Sequence, residues 1–158
     1  MEKENSKIAI KYSLKDVREL EFRYSNPFHN TKGFNPDHYV YEYGLQINYR
    51  WNMEKEIFGI VLDFLYKGKD NKEELELLKY TTLTEFKVEQ LDQIFKPRGK
   101  NDFEIEEKWE KSFVSLAIST GRGMLIARTS GTFFQKHVFP LVDPSTVILS
   151  KKISKSNP

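Results

Sequence analysis

From His38 to Trp51 the chain reads HYVYEYGLQINYRW, with its large side chains on odd positions: Tyr39, Tyr41, Tyr43, Leu45, Ile47, Tyr49 and Trp51. Val40 is the only strongly apolar residue at an even position. Period two over this length predicts a β-strand with one aromatic face and one wet face. In RELEFRYSN, Leu20, Phe22 and Tyr24 alternate with charged neighbours and predict an earlier strand. EIFGIVLDFLYKG is apolar on both alternations, as a central strand buried on both faces would be. LELLKYTTLTEFKV sets Tyr80, Thr82, Thr84, Phe86 and Val88 on one face and Leu83, Glu85 and Lys87 on the other. NMEK and KGKDNKEE read as turns. Four strands with short turns predict an antiparallel meander. The first connection, NPFHNTKGFNPDH, is long enough to carry the first strand to a different neighbour instead.

The segment KPRGKND ends the sheet portion. Asn101 with Glu104 three residues later matches a capping box and predicts a helix from about Phe103 to Thr129. At about 100° per residue, Trp109, Phe113, Leu116, Thr120 and Met124 gather on one side. Val114, Ile118 and Leu125 gather nearly opposite, with Lys108, Ser112, Ser115, Ser119 and Arg122 in a polar wedge. A helix on one sheet needs one apolar stripe. Two opposed stripes predict a helix held between two layers, and the second layer is expected from another copy of the chain. That expectation places Val114, Ile118, Arg122 and Leu125 at an oligomer interface, where Ile118→Asp should split the assembly. Gly121 and Gly123 each cost about 1 kcal/mol relative to alanine in a helix interior. They imply close packing of a neighbour or a kink. A phosphate cradle would need a strand leading in and more glycines.

Beyond Gly131, TFFQKHVFPLVDPSTVIL is strongly apolar and interrupted by Pro140 and Pro144. Phe133, Phe134, Val138, Phe139 and Leu141 exceed what a short extended segment easily buries. Asp143-Pro144 reads as a turn or helix start, STVILS as a short last helix or strand, and residues 151–158, like 1–7, as a frayed end.

Composition narrows the classes. The 158 residues suit one domain with a real core. Hydrophobic residues at 39% and charged residues at 30% are those of an ordinary globular protein, while aromatics, with 12 Phe and 8 Tyr, run high. With no cysteine, disulfides, thiol nucleophiles and cysteine metal sites are excluded. The three histidines, His29, His38 and His137, have unrelated spacings, so no metal site is expected. No serine sits in a nucleophile elbow, and Glu104, Glu106 and Glu107 suit a helix start better than an acid–base pair. No catalytic residue, cofactor or metal is therefore expected. A net charge of +2 does not suggest nucleic acid. No long apolar run suggests a membrane span, and the N-terminal residues lack a signal pattern, so the cytoplasm is the expected location. The surplus of aromatic and apolar side chains points to binding or assembly.

The layout resembles the SecB export-chaperone family: strands, a long helix, then an apolar crossing with a proline. The most specific part is STGRGMLIARTSGTFFQKHVFPLVDPSTVI, through Arg122, Gly131-Thr132-Phe133, Gln135 and Pro140. Upstream, ELEFRYSNP is similar to that family's first strand and LTEF, Leu83 to Phe86, to its fourth. The resemblance implies an α+β, SecB-like fold: a four-stranded antiparallel sheet, a long helix, an apolar crossing loop and a short C-terminal helix. It implies a homotetramer built as a dimer of dimers, and ATP-free binding of nonnative polypeptide. The groove would be lined by Tyr41, Tyr43, Leu45, Phe134, Val138, Phe139 and Leu141. A polar residue at Phe139 should then weaken binding without unfolding the chain. Glu19, Leu83 and Glu85 match positions by which relatives dock the translocase motor SecA. Arg23 reverses the charge of another such position and argues against delivery to SecA. Some relatives protect an antitoxin instead. Two other readings are a fold of this kind dedicated to one partner, and a small-ligand binding protein using a cleft above the aromatic face. Taken singly, each tyrosine is read first as plain core beneath the helix and second as groove lining.

Overall fold

A computed structural model describes residues 9–26, 28, 35–69, 72–100 and 102–148. Four long strands, β1 (Tyr12–Tyr24), β2 (Val40–Asn52), β3 (Ile57–Lys69) and β4 (Glu74–Val88), form one antiparallel sheet. Its order is β1-β4-β3-β2, so β2, β3 and β4 are the expected meander but β1 is not beside β2. The connection at 25–39 carries the chain from one edge of the sheet to the other. Ion pairs fit β1 to its neighbour β4: Lys79 Nζ lies 2.8 Å from Glu21, and Lys15 Nζ lies 3.2 Å from Glu85.

The β2–β3 turn is closed by Lys55 N–H donating to Asn52 Oδ1 at 2.9 Å. Glu56 follows with φ +49°. Its carboxylate accepts from Gln90 N–H at 2.8 Å and from Lys87 Nζ at 3.1 Å. Those two contacts, the backbone N–H first, hold the Glu56 carboxyl below its ordinary pKa.

Residues expected to open the helix form a strand instead. Phe95–Pro97 (β5) pairs with Phe103–Ile105 (β6), and Arg98 reaches Glu104 at 2.6 Å. Asn101, the expected cap, lies outside the described residues, as do 1–7 and 151–158. Phe103, Glu104 and Ile105 alternate apolar and charged, but over only three residues. This hairpin closes one end of the core, with Phe95 buried 5.1 Å from the Trp51 ring and 5.4 Å from Phe58.

Helix α1 runs from Glu107 to Arg128 and packs on β3 and β4. Its buried residues are Glu110, Phe113, Val114, Ala117, Ile118, Gly121 and Leu125. They form one broad face. At about 100° per residue, Phe113 and Ile118 are its flanks, about 140° apart. Its centre holds Glu110, Ala117 and Gly121. A charged residue, a methyl and a bare backbone made that centre look empty in sequence, and the two flanks look like separate stripes. The face meets Phe58, Ile60, Leu62 and Phe64 of β3 and Tyr80, Thr82, Thr84 and Phe86 of β4, all buried. Each large apolar side chain there contributes about 1.5–3 kcal/mol of burial.

After α1 the chain turns through Gly131, at φ +77°, into a short 3-10 segment at Phe133–Lys136. It then crosses the sheet and begins a last helix at 144–148. No helix among the described residues is long and apolar enough to cross a membrane.

Candidate functional site

The inner face of β2 and the crossing segment meet above one end of the sheet. Opposite pairing with β3 sets Tyr43 beside Tyr66 and Leu45 beside Phe64. Phe134 and Phe139 act as pegs in the core. The Phe134 ring lies 4.9 Å from Tyr66 and 5.7 Å from Tyr24. The Phe139 ring lies 5.0 Å from Phe64, 5.7 Å from Tyr66 and 5.8 Å from Tyr43. Edge-to-face contacts at these separations contribute about 0.5–1.5 kcal/mol beyond burial. Arg122 ties the crossing to the helix: its Nε–H donates to the Phe139 carbonyl at 2.7 Å.

These anchors divide the seven expected groove residues. Phe134 and Phe139 are buried, Leu45 and Tyr41 are half-buried. Tyr43, Val138 and Leu141 stand open at 38%, 45% and 86% exposure. Burial keeps Phe139 from being a neutral probe of binding, because truncating a buried Phe costs about 3–5 kcal/mol. The open three gather around the buried Phe139, Tyr43 by a ring contact at 5.8 Å and Val138 and Leu141 within two residues of it along the chain, and together they are termed the apolar ledge.

Phe133 and His137 belong to the same place and were not singled out as groove residues. The Tyr41 ring lies 5.8 Å from Phe133 and 4.7 Å from His137. Phe28, 54% exposed, lies 5.7 Å from Phe133. The Phe133 and His137 rings lie 4.7 Å apart across the end of the 3-10 segment, a turn too short to show a period in the sequence. Burial raises the Tyr41 and Tyr66 phenols above their ordinary pKa, Tyr66 by more. Both are therefore neutral hydrogen-bonding groups, and Tyr41 OH donates to the Pro36 carbonyl at 3.1 Å.

The expected interface residues lie within the chain. Val114, Ile118 and Leu125 are buried against its own sheet and crossing, and Arg122 holds Phe139. Ile118→Asp would place a charge in this core, so it is a test of folding and not of assembly. The large apolar residues that the helix leaves exposed are Leu116 and Ile126.

The expected docking trio is also split. A bulge between Glu19 and Glu21 shifts the register of β1. Glu19 consequently turns to the helix side, where it pairs with Arg128 at 3.3 Å. Leu83 and Glu85 remain on the opposite face. Arg23 is there too, 2.7 Å from Glu21 and 3.2 Å from Glu76, so this part of the face is paired internally. Among the described residues, no group of three or more His, Cys, Asp or Glu is placed to hold a metal.

No protein-family model matches the sequence, and no curated protein does. The structure is similar to the SecB-like chaperone Rv1957 of Mycobacterium tuberculosis, solved in complex with a ChAD peptide from the HigA1 antitoxin Rv1956. The likeness has a TM-score of 0.52 and covers 84% of this chain and 87% of that one, at 8% sequence identity. With the sheet order, the long helix and the apolar crossing, it gives the chain a SecB-like fold.

Proposed function

We propose that the chain is an ATP-independent holdase-type chaperone that takes nonnative polypeptide on the ledge formed by Tyr43, Val138 and Leu141. The observation that carries this is the contrast within one segment. Phe134 and Phe139 are fully packed, while Val138 and Leu141 beside them are left open to solvent. Exposed apolar side chains on a rigid base suit clients that differ in sequence, because burial is non-directional. Tyr43 adds an amphipathic ring that accepts apolar contact and hydrogen bonds. The peptide carried by the similar structure supports a polypeptide ligand for this fold.

In this reading the protein works in the cytoplasm as a homotetramer, a dimer of dimers, and the open helix residues Leu116 and Ile126 are offered to the next copy. The internally paired charges around Arg23 count against delivery of clients to SecA. That favours a dedicated partner, an antitoxin being one kind, as the narrower version of the same activity.

The test is dilution of a chemically denatured client into the protein without nucleotide, followed by light scattering. Wild type suppresses aggregation at near-stoichiometric oligomer. Leu141→Asp combined with Val138→Asp, at exposed sites, keeps the thermal midpoint and weakens client affinity about tenfold or more. Unchanged suppression by that variant would remove the ledge from the site. No suppression by wild type would remove general holdase activity.

A further inference from the structure

The sheet face turned away from α1 dips at Gly59. The atoms nearest to a Cβ there would be Leu83 Cδ1 at 3.4 Å, Arg50 Cβ at 3.5 Å and Glu85 Cγ at 3.6 Å, all at ordinary contact distance. Around this dip lies an open basin of about 330 Å³. Its lining includes four cations, Lys15, Arg18, Arg50 and Lys55, against two carboxylates, Asp16 and Glu85. Both carboxylates are engaged, Glu85 by Lys15 at 3.2 Å and Asp16 by Arg18 at 3.5 Å. Among the described residues Arg50 and Lys55 form no ion pair, and both are exposed. The basin thus has two surplus positive charges above an uncharged floor.

We infer that this basin docks an acidic, extended segment of a partner protein, with side-chain carboxylates on Arg50 and Lys55. Charge complementarity sets the sign of the partner. Geometry sets its form. Same-side residues of an extended segment repeat at about 7 Å, and β2 and β1, three strand spacings apart, are separated by about 14 Å. An extended segment crossing the basin from β1 brings its carboxylates to Arg50 and Lys55 at the β2 end, and the bare backbone at Gly59 lets its main chain approach. A nucleic acid fits less well. The surplus is two positive charges, which matches a short acidic segment and not a continuous phosphate backbone. The lining's one aromatic residue, Trp51, packs its ring against Phe95 and Phe103 on the other face, at 5.1 and 5.4 Å, and offers no platform for bases. The basin and the apolar ledge lie on opposite faces, so this inference does not depend on the chaperone reading.

The experiment uses two labelled peptides, one alternating Glu with small residues and one with Lys in place of Glu, followed by fluorescence anisotropy. The acidic peptide is expected to bind at least about tenfold tighter than the basic one, and to weaken with added salt. Arg50→Glu with Lys55→Glu should lower its affinity about tenfold or more, with the thermal midpoint and client suppression unchanged. Arg50→Gln with Lys55→Gln should give an intermediate loss. Equal affinity for the two peptides, or binding indifferent to the double variants, would overturn the inference. An oligothymidylate that competes as strongly as the acidic peptide would overturn it in favour of nucleic acid.

Discussion

Tyr80 shows how the aromatic residues are used. It is buried on the inner face of β4, and burial, with the Glu19 carboxylate beside it, pushes its phenol up to about 12 from an ordinary 10.0. Tyr49 is raised further, by burial and by Glu110, whose Oε1 accepts from Tyr49 OH at 2.8 Å. A raised folded pKa favours the protonated state of the native protein. The stabilisation is whole below pH 10, where the unfolded phenol is also neutral, and is lost as pH rises through the folded value. The denaturant midpoint should therefore fall from pH 10 upward, and Tyr80→Phe should fall less steeply. A midpoint that stays flat, or an identical decline in the variant, would contradict this account. The residue scale also limits what sequence could reveal. Period two correctly placed Tyr43 and Leu45 on one face, but it could not separate an open Tyr43 from a buried Phe139. That difference depends on a crossing segment remote in sequence.

The helix and sheet meet through a glycine. A Cβ at Gly121 would come 2.8 Å from Phe64 Cε2 and 3.0 Å from Thr82 Oγ1, whereas a Cβ at Gly123 would meet nothing within 4 Å. The two glycines thus have opposite consequences. Gly121→Ala should lower stability by about 1–3 kcal/mol through overpacking, and Gly123→Ala should raise it by about 1 kcal/mol through helix propensity. Chemical denaturation of the two variants checks the pair, and equal effects would mean that the helix does not approach the sheet at Gly121. Sequence offered close packing or a kink at this point. The helix is continuous, and the close neighbour is the chain's own sheet. The strands were legible because each is 13 residues or longer, so that the alternation of β2 and β4 and the apolar run of β3 had room to show. The β5–β6 hairpin was not, because three residues cannot display a period. Strand order followed the alternative route left open by the long first connection. The bulge that turns Glu19 to the face opposite Leu83 and Glu85 leaves no mark in the alternation.

At the scale of the molecule, the sheet separates two surfaces. The helix side carries the core, the crossing and the apolar ledge. The other side carries charged rows and the basin around Gly59. A likeness confined to the fold does not assign a client, so the function rests on what the open side chains touch. The most direct measurement places a photoactivatable crosslinking residue at position 141, on the ledge, and separately at position 48, an exposed strand position on the opposite face. Each protein is then illuminated with a denatured client. Crosslinks from position 141 and few from position 48 are the predicted result. Equal crosslinking from both, or crosslinks from position 48 alone, would contradict binding at the ledge.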